Sequence, residues 1–148
     1  MKLALLVAVL SVLACAGRAD AACTISTTPI SFGTYNVFNT SATAANGTIT
    51  YRCSNADHNI TVSISTGSSG TFTNRTLKKS AETLTYNLYL DAAFTSIWGD
   101  GSGGTASYHI GNPPNGVDTN LTVYGRVPAL QDVSAGSYTD TVIASIIF

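Results

Sequence analysis

Apolar side chains in this sequence recur at every second position, in short runs separated by Gly, Pro, Asn and Ser. A period of two is the signature of strands with one face turned to a core. No segment keeps a helical period for long, so no helix is available to cross between parallel strands. The pattern predicts an all-β chain, an antiparallel sandwich of many short strands. The runs are a first strand from Cys23 broken by Pro29 and resumed over 30–35, then 47–53, 59–65, 84–90 and 120–127. Pro cannot donate to a ladder, so the first run reads as an edge strand that bends or changes partner. In the second, Ile49, Tyr51 and Cys53 share a face; Ile60, Val62 and Ile64 do so in the third, and Leu121 with Val123 in the last. Both phases of 84–90 are apolar, as expected of a central strand.

The last run, residues 138–148, carries apolar residues on both faces. Val142, Ala144, Ile146 and Phe148 fall on one face; Thr141, Ile143, Ser145 and Ile147 fall on the other. Large apolar groups on both faces call for burial on both sides. With no residues after Phe148 to cover its far edge, the strand is expected to be a template for another chain.

The start of the chain is a targeting pattern. Lys2 precedes an apolar run over 3–14, too short to span a bilayer comfortably, and Ala19-Asp20-Ala21 fits small-x-small cleavage. A signal peptide over 1–21 and a single domain over 22–148 follow. A competing reading takes Val12-Leu13-Ala14-Cys15 as a lipoprotein box with Cys15 acylated. Either way the chain is exported. Beyond residue 21 five basic and seven acidic side chains are scattered along the sequence, which argues against nucleic acid or an anionic membrane as the partner class. Cys23 and Cys53 remain after cleavage, and in an exported chain they read most simply as a disulfide. A metal pair is the weaker alternative, because two thiolates make no closed site.

The residues offer no active site. His58 and His109 are too few for a copper or zinc centre, and neither sits in a triad context. No Gly-x-Ser-x-Gly elbow occurs. Glu82 and the scattered aspartates would have to supply any glycosidase pair, yet most of these aspartates lie in turns. Trp98-Gly-Asp-Gly-Ser-Gly-Gly104 lacks the spaced carboxylates of a calcium loop and reads as a tight turn. Asn39, Asn46, Asn59, Asn74 and Asn120 each begin an Asn-x-Ser/Thr triplet, as chance provides in a chain rich in Asn and Thr. Arg75 and Arg126 are expected to pin loops rather than bind phosphate. Trp98, Tyr108 and the Pro113-Pro114 loop are the residues a glycan-binding module would use, although packing explains such aromatics equally well. No cofactor, metal or small-molecule substrate is expected.

Seven ordered stretches carry a resemblance: Cys23-Thr-Ile-Ser26, Phe32-Gly-Thr-Tyr35, Gly47-Thr-Ile-Thr-Tyr-Arg-Cys53, Leu84-Thr-Tyr-Asn-Leu-Tyr89, Trp98-Gly-Asp-Gly101, Leu121-Thr-Val-Tyr-Gly-Arg126 and Gly136-Ser-Tyr-Thr-Asp-Thr-Val142. Together they resemble the spore coat protein U domain family, the pilin-like subunits of archaic chaperone–usher systems. The resemblance implies an incomplete immunoglobulin-like antiparallel β-sandwich lacking its last strand, with a Cys23–Cys53 disulfide. It implies a strand lent first by a periplasmic chaperone and then by a neighbouring pilin or coat subunit, during assembly through an outer-membrane usher. The end product is a pilus, spore coat or other surface fibre, reached through the periplasm. Tyr138, Val142, Ala144, Ile146 and Phe148 would then form one wall of the acceptor groove. Fibre-forming subunits of this kind carry a donor extension before the first cysteine; here cleavage would leave only Ala22, so the chain is expected to accept a strand and not to donate one. The other class to weigh is a secreted or tip-located adhesin that binds glycan.

Overall fold

The computed structural model describes residues 23–54 and 58–148. The signal segment 1–21, Cys15 and Ala22 lie outside the described residues. Eight strands make up the described chain: β1 (Cys23–Thr28), β2 (Thr43–Cys53), β3 (Ile60–Ile64), β4 (Arg75–Lys79), β5 (Glu82–Tyr89), β6 (Tyr108–Ile110), β7 (Thr119–Val127) and β8 (Ala144–Ile147). They form a five-stranded sheet in the order β1-β2-β7-β5-β4 and a three-stranded sheet in the order β6-β3-β8, with every strand pairing antiparallel. The fold is the expected sandwich.

Its core is built from the predicted phases. Ile49, Val62, Ile64, Leu84, Tyr86, Leu88, Val123 and Val127 meet between the sheets. Tyr51, Cys53 and Ile60 form a second cluster beside them. Cys23 and Cys53 face each other across β1 and β2 and are joined at 2.05 Å. The disulfide closes a loop of sequence separation 30, which stabilises by roughly 3–4 kcal/mol in the chain-entropy account.

Several local readings are corrected. Residues 30–35 form no strand. β2 starts at Thr43 rather than Gly47, because pairing with β7 from Thr43↔Val127 onward draws the small residues Thr43–Asn46 into the ladder. β4 adds a strand that the alternation does not display. The run 138–148 is two pieces: Thr139 bridges Lys78 on β4, and only Ala144–Ile147 pairs with β3. Burial of both its faces is also corrected. Val142, Ala144 and Ile146 pack on the core, whereas Ile143, Ile147 and Phe148 are 64%, 66% and 53% exposed.

Trp98 is fully buried and donates its indole N–H to the Val62 carbonyl at 3.0 Å, so it is a core residue and not part of a glycan-binding surface. The turn after it is closed by Asp100, which accepts from the Ser102 N–H at 2.8 Å. Tyr108 is half-buried against Tyr51. His58 pairs with Asn112 and His109 with Thr61. Among the described residues no helix is long and apolar enough to cross a membrane.

Candidate functional site: an open seam between the sheets

β1 ends the large sheet and β8 ends the small one, and the two run close to each other along one side of the sandwich. The seam between them is not closed by a strand among the described residues. One wall is the segment after β1, residues 29–35. It makes no backbone–backbone hydrogen bond among the described residues. Side chains hold it instead. Ile30 and Phe32 pack on the core, each over a glycine. A Cβ built on Gly47 would lie 2.5 Å from Ile30 Cγ1, and one on Gly125 would lie 2.8 Å from Phe32 Cζ. Glycine at these two positions creates the seats. Phe32 also meets Tyr86 edge-on, with ring centroids 5.8 Å apart. The Tyr35 hydroxyl donates to the Pro128 carbonyl at 2.8 Å and accepts from the Gln131 N–H at 2.9 Å, anchoring the far end.

The other wall is residues 138–147. Its backbone is spent on one side only. Thr139 exchanges two hydrogen bonds with Lys78, and the Ile143 carbonyl accepts from the Ser65 N–H. Backbone groups alternate sides along a strand, so those of Asp140, Val142 and Ala144 face the open seam. The inward side-chain row is Tyr138, Asp140, Val142, Ala144 and Ile146, each half-buried. Phe148, two residues further on, is exposed and does not pack on the core.

Two cavities of about 950 and 280 Å³ open between the walls. Both are bordered by Ile30, Phe32, Leu77 and Asp140. The smaller reaches Ile49, Ile64, Leu88 and Val123, so its floor is the hydrophobic core itself. A trough of this shape exposes both apolar surface and unpaired backbone, the two liabilities that a folded edge normally hides.

One carboxylate borders both cavities. Asp140 accepts from the Ser68 and Thr141 N–H groups at 2.9 and 2.8 Å and from the Tyr86 hydroxyl at 2.7 Å. Burial, then the bond to Asp140, pushes the Tyr86 phenol well above its ordinary range. Deeper lies Arg75, fully buried, which donates to the Ser65 and Trp98 carbonyls and to Asn87 Oδ1 at 2.7–3.0 Å. Burial lowers its pKa, while Tyr86 and Asp140 act in the opposite direction. Arg75 thus pins the β3, β5 and Trp98 segments together, as its reading as a loop anchor anticipated. At the wide end, Glu82 accepts from Ser134 Oγ and from the Tyr138 hydroxyl, tying the 134–138 bend to the β4–β5 hairpin.

The profile of the Spore Coat Protein U domain matches residues 9–145. The chain belongs to the Spore Coat Protein U domain family. Protein U of Myxococcus xanthus is 38% identical to this family member over 84 residues, 55% of this chain and 45% of the relative's length. Among solved structures, a chain in the chaperone–tip adhesion subunit pre-assembly complex from archaic chaperone–usher Csu pili of Acinetobacter baumannii is similar in fold. It superposes with a TM-score of 0.61 at 20% identity, over 86% of this chain and 40% of that one. This chain therefore spans less than half the length of each of these two proteins.

Sequence reasoning named one wall of the trough and missed the rest. Residues 30–35 have the alternation of a strand but form part of this wall without a ladder, and Tyr86 and Leu77 carry no sequence signal of lying beneath a groove. Asp140 shares the phase of Tyr138 and Val142 in the sequence, but as an aspartate it reads there as a turn residue.

Proposed function

We propose that this chain is an exported, non-enzymatic structural subunit of a surface fibre or coat, whose open seam accepts a β-strand from another polypeptide. The observation that carries the reading is the trough between residues 29–35 and 138–147. Its floor is the core, and one wall presents a strand edge that no other strand pairs with among the described residues. A strand laid there gains main-chain hydrogen bonds and inserts alternate side chains into the cavities, the physics of β-augmentation. Family membership and the fold shared with a chaperone–usher pilus complex support assigning the strand to a chaperone during export and to a neighbouring subunit in the assembled structure. Usher-mediated assembly, removal of a signal peptide over 1–21 and a position at the cell surface belong to the same proposal.

The test is periplasmic expression of the full chain with and without its chaperone. The chain alone is expected to aggregate or be degraded, and the chaperone to co-purify with it. Ala144→Arg, which places a charge on the inward row, should abolish co-purification, while Ser145→Arg on the outward face should leave it intact. A wild-type chain that is a soluble monomer without its chaperone and unfolds cooperatively would refute the proposal.

A further inference from the structure

A strand filling the seam meets an inward row that is apolar at Tyr138, Val142, Ala144 and Ile146 and carries a carboxylate at Asp140. Directly opposed side chains on one sheet face lie ~4.5–5.5 Å apart and interact pairwise. The residue set beside Asp140 is therefore constrained differently from its neighbours. An apolar side chain there would strip water from a carboxylate and return no hydrogen bond, a cost that buried polar groups do not tolerate well. A hydrogen-bond donor would use the remaining acceptor capacity of that carboxylate, which already takes Ser68 N–H, Thr141 N–H and the Tyr86 hydroxyl.

Charge selects among donors. Arg75 is fully buried, its hydrogen bonds among the described residues go to carbonyl oxygens and an amide, and it is the cross-strand partner of Tyr86, whose hydroxyl donates to Asp140. A buried cation thus stands one residue behind the carboxylate. A lysine or arginine on the incoming strand would bring a second cation toward it and would have to shed its own water to do so. A neutral donor completes the hydrogen bonding and adds no charge. Size points the same way, because Asp140 borders both cavities at their junction, beside Phe32 and Leu77. A short side chain fits between the two volumes that larger neighbours would fill.

We propose that the strand recognised by this seam, contributed by another subunit, presents threonine or serine at the inward position beside Asp140, between apolar residues beside Tyr138 and Val142. This rests on the seam being a strand acceptor. Asp140 is then a specificity residue that fixes register: a strand shifted by two residues would set an apolar side chain against the carboxylate and the hydroxyl against Val142 or Tyr138.

Two synthetic strands with identical alternating apolar residues, differing only by Thr or its isostere Val at that position, would test it. The full chain is refolded, disulfide intact, in an equimolar mixture of both, and the complexes are weighed by native mass spectrometry. The threonine strand should be retained about tenfold over valine, the order expected of one well-placed hydrogen bond to a charged group. Asp140→Leu should reverse the preference; because that substitution also removes the bonds to Ser68 and Tyr86, the wild-type competition is the deciding measurement. Equal retention, or valine preferred, on the wild-type chain overturns the proposal while leaving the strand acceptor intact. Capture of neither strand overturns the acceptor reading and this proposal with it.

Discussion

Gly125 gives the sharpest test of how the 29–35 wall is held. A methyl group at this position would sit 2.8 and 2.9 Å from the Phe32 ring and 3.1 Å from the Ala45 carbonyl. Phe32 has two ways to respond. It can stay over Tyr86 and strain the seat, which for an overpacked core costs about 1–3 kcal/mol. It can instead swing to solvent and lose its packing on Tyr86, a loss of similar size for a half-buried aromatic. Against either stands a gain of about 0.4–1 kcal/mol, because alanine restricts the unfolded chain more than glycine does. The strain wins, and Gly125→Ala should destabilise by about 1 kcal/mol net. With a urea m-value of about 1–3 kcal/mol/M, the midpoint moves down by roughly 0.5 M. The same substitution in a Phe32→Ala background no longer meets the ring and keeps the 3.1 Å approach to the Ala45 carbonyl, and there it should be neutral or slightly stabilising. Urea unfolding of the four chains, each carrying the same bound strand and an intact disulfide, gives the coupling directly. About 1–2 kcal/mol is expected; additivity within ~0.5 kcal/mol would refute the seat.

Arg75→Met should cost about 3–5 kcal/mol and abolish accumulation of folded chain, because the Ser65 and Trp98 carbonyls and Asn87 lose buried donors; thermal unfolding of the strand-bound protein checks it. Replacing Cys23 and Cys53 together by serine should lower stability by roughly 3–4 kcal/mol, measured against the oxidised wild type in urea. Glu82 has its pKa lowered by hydrogen bonds from Ser134 and Tyr138. Its contribution is therefore fully present above the ordinary carboxylate pKa of about 4.3 and lost as pH falls through the lower folded value. The stability difference between wild type and Glu82→Gln should accordingly hold at neutral pH and shrink toward zero in strong acid; a difference that does not change with pH would contradict the assignment.

Most of the sandwich was legible because β2, β3 and β7 alternate cleanly and each buries the phase that the sequence displays. What escaped has physical causes. In β4, Arg-Thr-Leu-Lys-Lys shows one apolar residue, and its strand character comes from pairing with β5 rather than from its own pattern. Ile30 and Phe32 have the alternation of a strand yet form no ladder, since the period reports only which side chains go inward and not whether a neighbour's backbone is there. Trp98 lies among glycines, which suggested a surface turn; the glycines belong to the turn, and the indole inserts into the core in front of it. Asp140 reads as a turn residue by composition, and only the half-buried row on either side of it shows that it faces the trough.

Amide hydrogen exchange on the strand-bound and strand-free full chain decides whether the seam accepts a strand. A bound strand should slow exchange on both walls, at residues 29–35 and at Asp140, Val142 and Ala144, whose amides face the seam. Protection confined to other strands, with both walls exchanging as fast as in the strand-free chain, would contradict it.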